Sequence, residues 1–506
     1  MLSKLFPPIT AFSLAVVFSF CASEATTVPA SATLPGAELA RAYCGACHHY
    51  PEPDLLDRKT WERYVLPRMG HFMGIYTNAQ QRDTLIEAGR AEALIRAAQI
   101  FPAEPTIEAA DWQAIQAFYL ALAPERLVVD SLVTEPGAPF KARFPNLFFS
   151  PPSTTLLAVE GEQLFFADAN KQNLVQLNGE LEALRQAEIG EGTVQLHRED
   201  DQLWLTVMGS FSPTDNPLGY IYRLSTDPQR PSAVVIRNLQ RPVHASYADW
   251  NGDGRTDILI CEYGKWTGAL SMWWQRADGT YERQDLVKRP GAIRTAVLDI
   301  NADGRQDFIA LFGQGREGIE LWLNEGAGKF EQREIVRLSP SHGSSAFDLV
   351  DFDGDGRQDI VYTAGDNADF PPLLKPYHGV YVYLQRADFR FQQAHFLPLP
   401  GAYRALPHDY DGDGDIDLAA ISFFPDYDGQ ALDFVYFDNR GDTFVAQTLD
   451  LKQIGRWLVM ERGDLDGDGD EDLVLGSLTF EAPQRPQLLD RWVQQGVPLV
   501  LLENQN

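Results

Sequence analysis

Cysteine is scarce, with four residues in a chain of 506. Two lie three positions apart, Cys44 and Cys47, and the others, Cys21 and Cys261, stand alone, so no disulfide framework is available. Positive charge is short as well. Lys and Arg number 42 against 71 Asp and Glu, and the net charge of -29 argues against nucleic acid as a partner. It argues equally against attachment to an anionic membrane surface by charge alone. Beyond the first 20 residues no apolar run is long enough to cross a bilayer. No phosphate-cradling loop, dinucleotide fingerprint or Ser/His/Asp nucleophile motif stands out. A hydrophobic content of 44%, with 11% aromatic, excludes disorder, and the length requires more than one domain.

The chain opens with Met1-Leu2-Ser3-Lys4 and an apolar stretch from Leu5 to Phe20, broken by Pro7 and Pro8. Small residues follow from Ala22 to Ala32. Residues 1–32 therefore read as an export segment, which puts the remainder in the periplasm or at the cell surface. Cys21 offers an alternative, a lipid anchor after cleavage, although Phe20 is not the small residue such processing takes. Cys261 follows Ile258-Leu259-Ile260 and reads as a buried small hydrophobe.

Cys44-Gly45-Ala46-Cys47-His48 is a C-x-x-C-H motif. Two thiols at this spacing can form thioethers to the two vinyl groups of haem, and the next residue offers an imidazole to the iron. A thioredoxin-like pair would need a flanking strand–helix pattern, and a zinc site a second C-x-x-C; the chain has neither. One covalent haem c is expected, on Cys44 and Cys47, with His48 as an axial ligand.

Residues 34–125 have helical composition. Leu39–Tyr43 leads into the motif. Residues 78–98, with Asn78 as a cap, form a second helix. Asp111–Leu122 carries apolar residues at helical spacing and stops before Pro124. A motif helix at the start and an aromatic-rich helix at the end resembles a class I cytochrome c. The resemblance implies that Leu66-Pro67-Arg68-Met69-Gly70 is a loop presenting Met69 as the second axial ligand, with Met73 and His71 as alternatives. Met69 follows His48 by only 21 positions, which is short for that family. His/Met ligation suits electron transfer, and an open iron suits binding of small molecules.

From residue 249 onward a nine-residue pattern, D-x-D/N-x-D-G-x-x-D, recurs five times at spacings of 50, 52, 58 and 55 residues. Its acidic and amide positions are Asp249, Asn251, Asp253 and Asp257, then Asp299, Asn301, Asp303 and Asp307. They continue with Asp351, Asp353, Asp355 and Asp359, with Asp409, Asp411, Asp413 and Asp417, and with Asp464, Asp466, Asp468 and Asp472. Oxygen ligands at positions 1, 3, 5 and 9 around a tight glycine turn are calcium chemistry, and about five Ca²⁺ ions are expected. An EF-hand would need Glu at position 12, where the chain has Ile260, Ala310, Tyr362, Ala420 and Leu475. Each loop runs instead into a strand-like stretch. A period near 50 residues signals propeller blades.

These loops resemble FG-GAP/VCBS repeats, in which a calcium loop joins the first two strands of each blade. The resemblance implies a small helical cytochrome c domain followed by a β-propeller over residues 126–506, with each ion bracing one blade. Residues 146–240 leave room for two degenerate blades, seven in all. The final run Leu499–Asn504 matches the third strand of a blade, so a segment between Leu127 and Phe144 should supply the fourth and close the ring. His244, Arg294, His342, Arg404 and Arg456 fall at the starts of the inner strands, where a basic cluster could hold a small anionic ligand. The resulting expectation is an exported electron-transfer protein with no catalytic residue of its own. Its propeller would dock a basic redox partner or a glycan. The alternatives are a haem-coupled oxidoreductase whose propeller binds substrate or a second cofactor, and an adhesion or carbohydrate-binding module.

Overall fold

Seven sheets follow one another around a ring, each built on antiparallel strands, with Glu135–Pro136 added parallel to the outer strand of the sixth and Phe140–Arg143 completing the seventh. The structure is a computed structural model that describes residues 35–506 apart from 200, 226–230, 369–370, 442, 452 and 480–484. The expected export segment and Cys21 lie outside the described residues. Blades one to six span 154–188, 193–239, 242–287, 292–337, 344–398 and 402–448. The seventh combines three strands over 457–504 with Phe140–Arg143, which pairs antiparallel with Leu499–Asn504. This closure is the one expected from the truncated last repeat, and both degenerate blades are present. The chain folds as a seven-bladed β-propeller with a small helical region before it.

Second strands are the core. Asp257–Glu262, Asp307–Phe312, Asp359–Ala364, Asp417–Ser422 and Asp472–Ser477 are buried at every position. Strands covered on both faces need continuous apolar runs rather than alternation, and these sequences supply them. Cys261 sits here, fully buried as expected, and burial pushes its thiol up to about 12.

The helical region departs from expectation at two places. Residues 78–98 form two helices, Ala79–Leu85 and Arg90–Ala97. Gly89 between them has φ of 91°, which a helix cannot continue through. Asn78 does cap the first, accepting Gln81 N–H at 3.0 Å. The second departure is the expected Met69 loop, which is helical. Arg58–Thr60, a wider turn over Trp61–Val65 and Leu66–Phe72 form one continuous run. The Leu66 N–H reaches back five residues to Trp61 O. That widening relieves the missing donor and ring clash of Pro67, so proline is accommodated without ending the helix.

The helical unit sits on the propeller face opposite the aspartate loops. It touches the connections between second and third strands in blades two to five, through Thr214–Asn216, Trp266, Arg316 and Tyr377. Among the described residues no helix is long and apolar enough to cross a membrane.

Candidate cofactor site and metal loops

Helix Ala37–Cys44 packs tightly on helix Ala109–Leu122. At Gly36, which precedes it, a Cβ would come within 2.2 Å of Ala114 O, so only glycine permits the approach. The helix ends at Cys44. That residue is buried with Trp61, Val65, Leu66, Trp112, Ile115, Phe118 and Tyr119, and Met69 and Met73 pack half-buried against the same cluster. Trp61 Nε1 donates to Pro53 O and the Tyr119 hydroxyl to Pro51 O, both at 2.8 Å, which pins the chain just after the motif. His71 faces elsewhere, stacked on Tyr76 with ring centroids 5.9 Å apart.

Cys44, Cys47 and Cys261 are free thiols. Cys44 is buried, which raises its pKa to about 11, and Cys47 is exposed. His48 is half-buried, and its Nδ1 lies 2.8 Å from His49 O. That bond holds Nδ1 as the protonated nitrogen and leaves Nε2 with its lone pair, the arrangement of a metal-ligating histidine. The donor set therefore fits covalent haem: two unpaired thiols, an anchored imidazole behind them, and two methionines against the same apolar cluster.

All five aspartate loops share one geometry. The position-1 carboxylate accepts the N–H of the position-6 glycine, at 2.8 Å in Asp249–Gly254 and Asp299–Gly304 and 2.9 Å in Asp351–Gly356. The corresponding distances are 3.0 Å for Asp409–Gly414 and 3.2 Å for Asp464–Gly469. Carboxylate oxygens converge within 4.8 Å in three loops: Asp351, Asp353 and Asp355; Asp409, Asp411 and Asp417; Asp464, Asp466 and Asp468. In the loops of blades three and four, Asn251 and Asn301 replace one carboxylate with an amide. Arg255, Arg305 and Arg357 pair with Asp253, Asp303 and Asp355. Asp415 and Asp470 take the arginine's place in blades six and seven, where Asp409 Oδ1 and Asp470 Oδ1 are buried without a partner. Those two loops fit a divalent cation best.

Asp307, Asp359, Asp417 and Asp472 each use both oxygens on backbone N–H groups of their own blade.

The inner-strand residues do not form one basic cluster. Every inner strand slips register by one residue near its start, and the same level is occupied by Leu156, Gln195, His244, Arg294, Ala346, Arg404 and Val459. His342 and Arg456 precede this level. His342 lies 4.9 Å from the Tyr377 ring, and Arg456 stacks 3.5 Å over Phe423. Of the remaining three, Arg294 and Arg404 share Asp348, and Arg404 reaches Glu461 at 4.0 Å. Burial and these two guanidiniums hold His244 well below the usual histidine range, so it is neutral. Two carboxylates balance two arginines. His378 is also buried.

The FG-GAP-like repeat family matches residues 249–310 and 299–362. The propeller carries FG-GAP repeats. No curated protein matches the chain. Among solved structures, a chain of the S. cerevisiae complex of Dbp5 with Nup159, Gle1, IP6 and ADP is 12% identical, over 74% of this chain and 98% of its own, at a TM-score of 0.44. Saccharomyces cerevisiae Sqt1 is 10% identical, over 68% and 81%, at 0.38. BBS1N in complex with ARL6DN is 10% identical, over 72% and 97%, at 0.41. The FG-GAP scaffold fits a binding or docking role.

The contacts joining the two units were not legible from sequence. Glu87 accepts the Asp215 N–H at 3.1 Å and an Asn216 amide N–H at 2.7 Å, across more than 120 positions of chain. Arg316 and Tyr377 likewise had no local pattern to flag them.

Proposed function

We propose that this is an exported c-type haem electron-transfer protein whose FG-GAP propeller serves as a docking scaffold. The observation that carries the reading is His48. It directly follows two free thiols at haem-attachment spacing, and its Nδ1 is anchored so that Nε2 is left for iron. Cys44 and Cys47 would hold the haem, His48 one axial position and Met69, on its helix, the other. The haem would supply one-electron exchange at a potential raised by the thioether sulfur. The chain's own residues bury the Cys44 thiol and keep the motif next to the propeller. Calcium would sit in the aspartate loops, Asp409–Asp417 and Asp464–Asp472 above all, and brace blades without chemistry of its own. The surplus negative charge suits a basic partner.

The test is an absorbance spectrum of protein matured where c-type haem is attached. A low-spin oxidised spectrum with a weak band near ~695 nm is expected from His/Met ligation. A high-spin spectrum that shifts with added small ligands would replace electron transfer with the haem-coupled oxidoreductase. Absence of covalent haem would overturn both.

A further inference from the structure

The C-x-x-C-H segment does not face solvent alone. A turn of blade four, Gln314–Arg316, reaches it, and Arg316 Nε donates to Cys47 O at 3.3 Å. A cavity of about 160 Å³ opens here between the two units, lined by His49, Arg289, Arg316, Glu317, Glu320 and Glu334.

Several of the charges around this cavity are paired. Arg289 pairs with Glu320, and Glu334 is taken by Arg337 and by His49 at 3.7 Å. The buried Glu317 carboxylate accepts the Ser344 N–H. Among the described residues Arg316 makes no ion pair.

We infer that Arg316, a propeller residue, is a positioning residue of the haem site that holds the Cys47 carbonyl and raises the haem's reduction potential. The inference rests on the haem reading above. Ferric haem carries one more positive charge than ferrous haem, so a nearby uncompensated cation disfavours the oxidised form. The propeller thus sets the redox property of the unit docked on it. The field acts beside an open cavity, so salt should screen it.

The experiment uses the full haem-loaded chain and measures midpoint potential at low and high ionic strength. Arg316→Gln is expected to shift the potential downward and Arg316→Glu further downward, with Arg316→Lys near the parent value. All differences should shrink at high salt, with haem content and the low-spin bands unchanged. Haem-loaded variants sharing one potential, or Lys behaving like Gln, would overturn the inference and leave the haem reading standing. A parent chain that takes up no haem overturns the haem reading and the inference with it.

Discussion

The buried carboxylate of Asp472 accepts the backbone N–H of Asn504, two residues from the end of the chain, at 2.9 Å. The same contact recurs in every blade that carries an aspartate loop: Asp257 with Gln275, Asp307 with Asn324, Asp359 with Gln385 and Asp417 with Asn439, at 2.7–2.8 Å. The ninth residue of the motif therefore ties the second strand of each blade to the end of the third. It works whether or not an ion is bound.

Replacing Asp359 with Ala removes an acceptor for two buried N–H groups, those of Phe352 and Gln385. Hydrogen bonds to charged groups contribute about 1.5–3 kcal/mol each, so a loss of about 3 kcal/mol is expected. The loss should persist in chelator. Thermal melts of Asp359→Ala with and without EGTA check it; a penalty that vanishes in EGTA would make Asp359 a ligand only.

Calcium should raise the melting temperature, chiefly through blades six and seven, whose loops lack the arginine that pairs with the fifth-position aspartate elsewhere. A site saturated at 100 times its Kd adds about 2.7 kcal/mol. Asp466→Asn should remove more of the calcium-dependent rise than Asp303→Asn, whose carboxylate is already held by Arg305. Equal losses from the two variants would contradict the ranking.

The fourth position of each loop is left-handed. It is glycine in four loops and Ala302, at φ 58°, in the other. Alanine pays about 1 kcal/mol in this region, and glycine does not. Ala302→Gly is therefore expected to stabilise the chain by a similar amount at most, since glycine also gains freedom in the unfolded chain. A denaturant midpoint that falls instead would show that the loop prefers the stiffer residue.

Burial pushes Glu317 up to about 7, against opposing bonds from Ser344 and the nearby Lys375 charge. The folded state thus holds a proton that the unfolded chain releases near pH 4.5. The associated stability is complete below pH 4.5 and is lost as pH rises through about 7. A shift of that size corresponds to on the order of 3 kcal/mol. Glu317→Gln, which stays neutral, should match the parent at pH 4 and melt higher at pH 8. A constant difference across that range would show that Glu317 ionises freely in the fold.

Much of the architecture could be read along the chain, because each blade is a local unit. The aspartate loops, the strand that follows each one and the unfinished last repeat are short-range patterns. From them came the blade count and the closing role of a segment between Leu127 and Phe144. Asn78 as a cap and the helix ending before Pro124 were legible for the same reason. The Met69 segment was expected as a loop from the cytochrome resemblance alone, and it is helical because a wider turn absorbs Pro67.

What the sequence determined by itself was chemistry that depends on near neighbours: the C-x-x-C-H motif, the loop carboxylates and the buried second strands. Only the tertiary structure decided which charges meet. Arg294 and Arg404 lie 110 positions apart, yet both pair with Asp348, because the ring sets three inner strands side by side. Arg316 and Cys47 meet across 269 positions because the helical unit settles on the loops of blade four. Such pairings depend on how the blades close and where the helices dock, and no spacing along the chain encodes that.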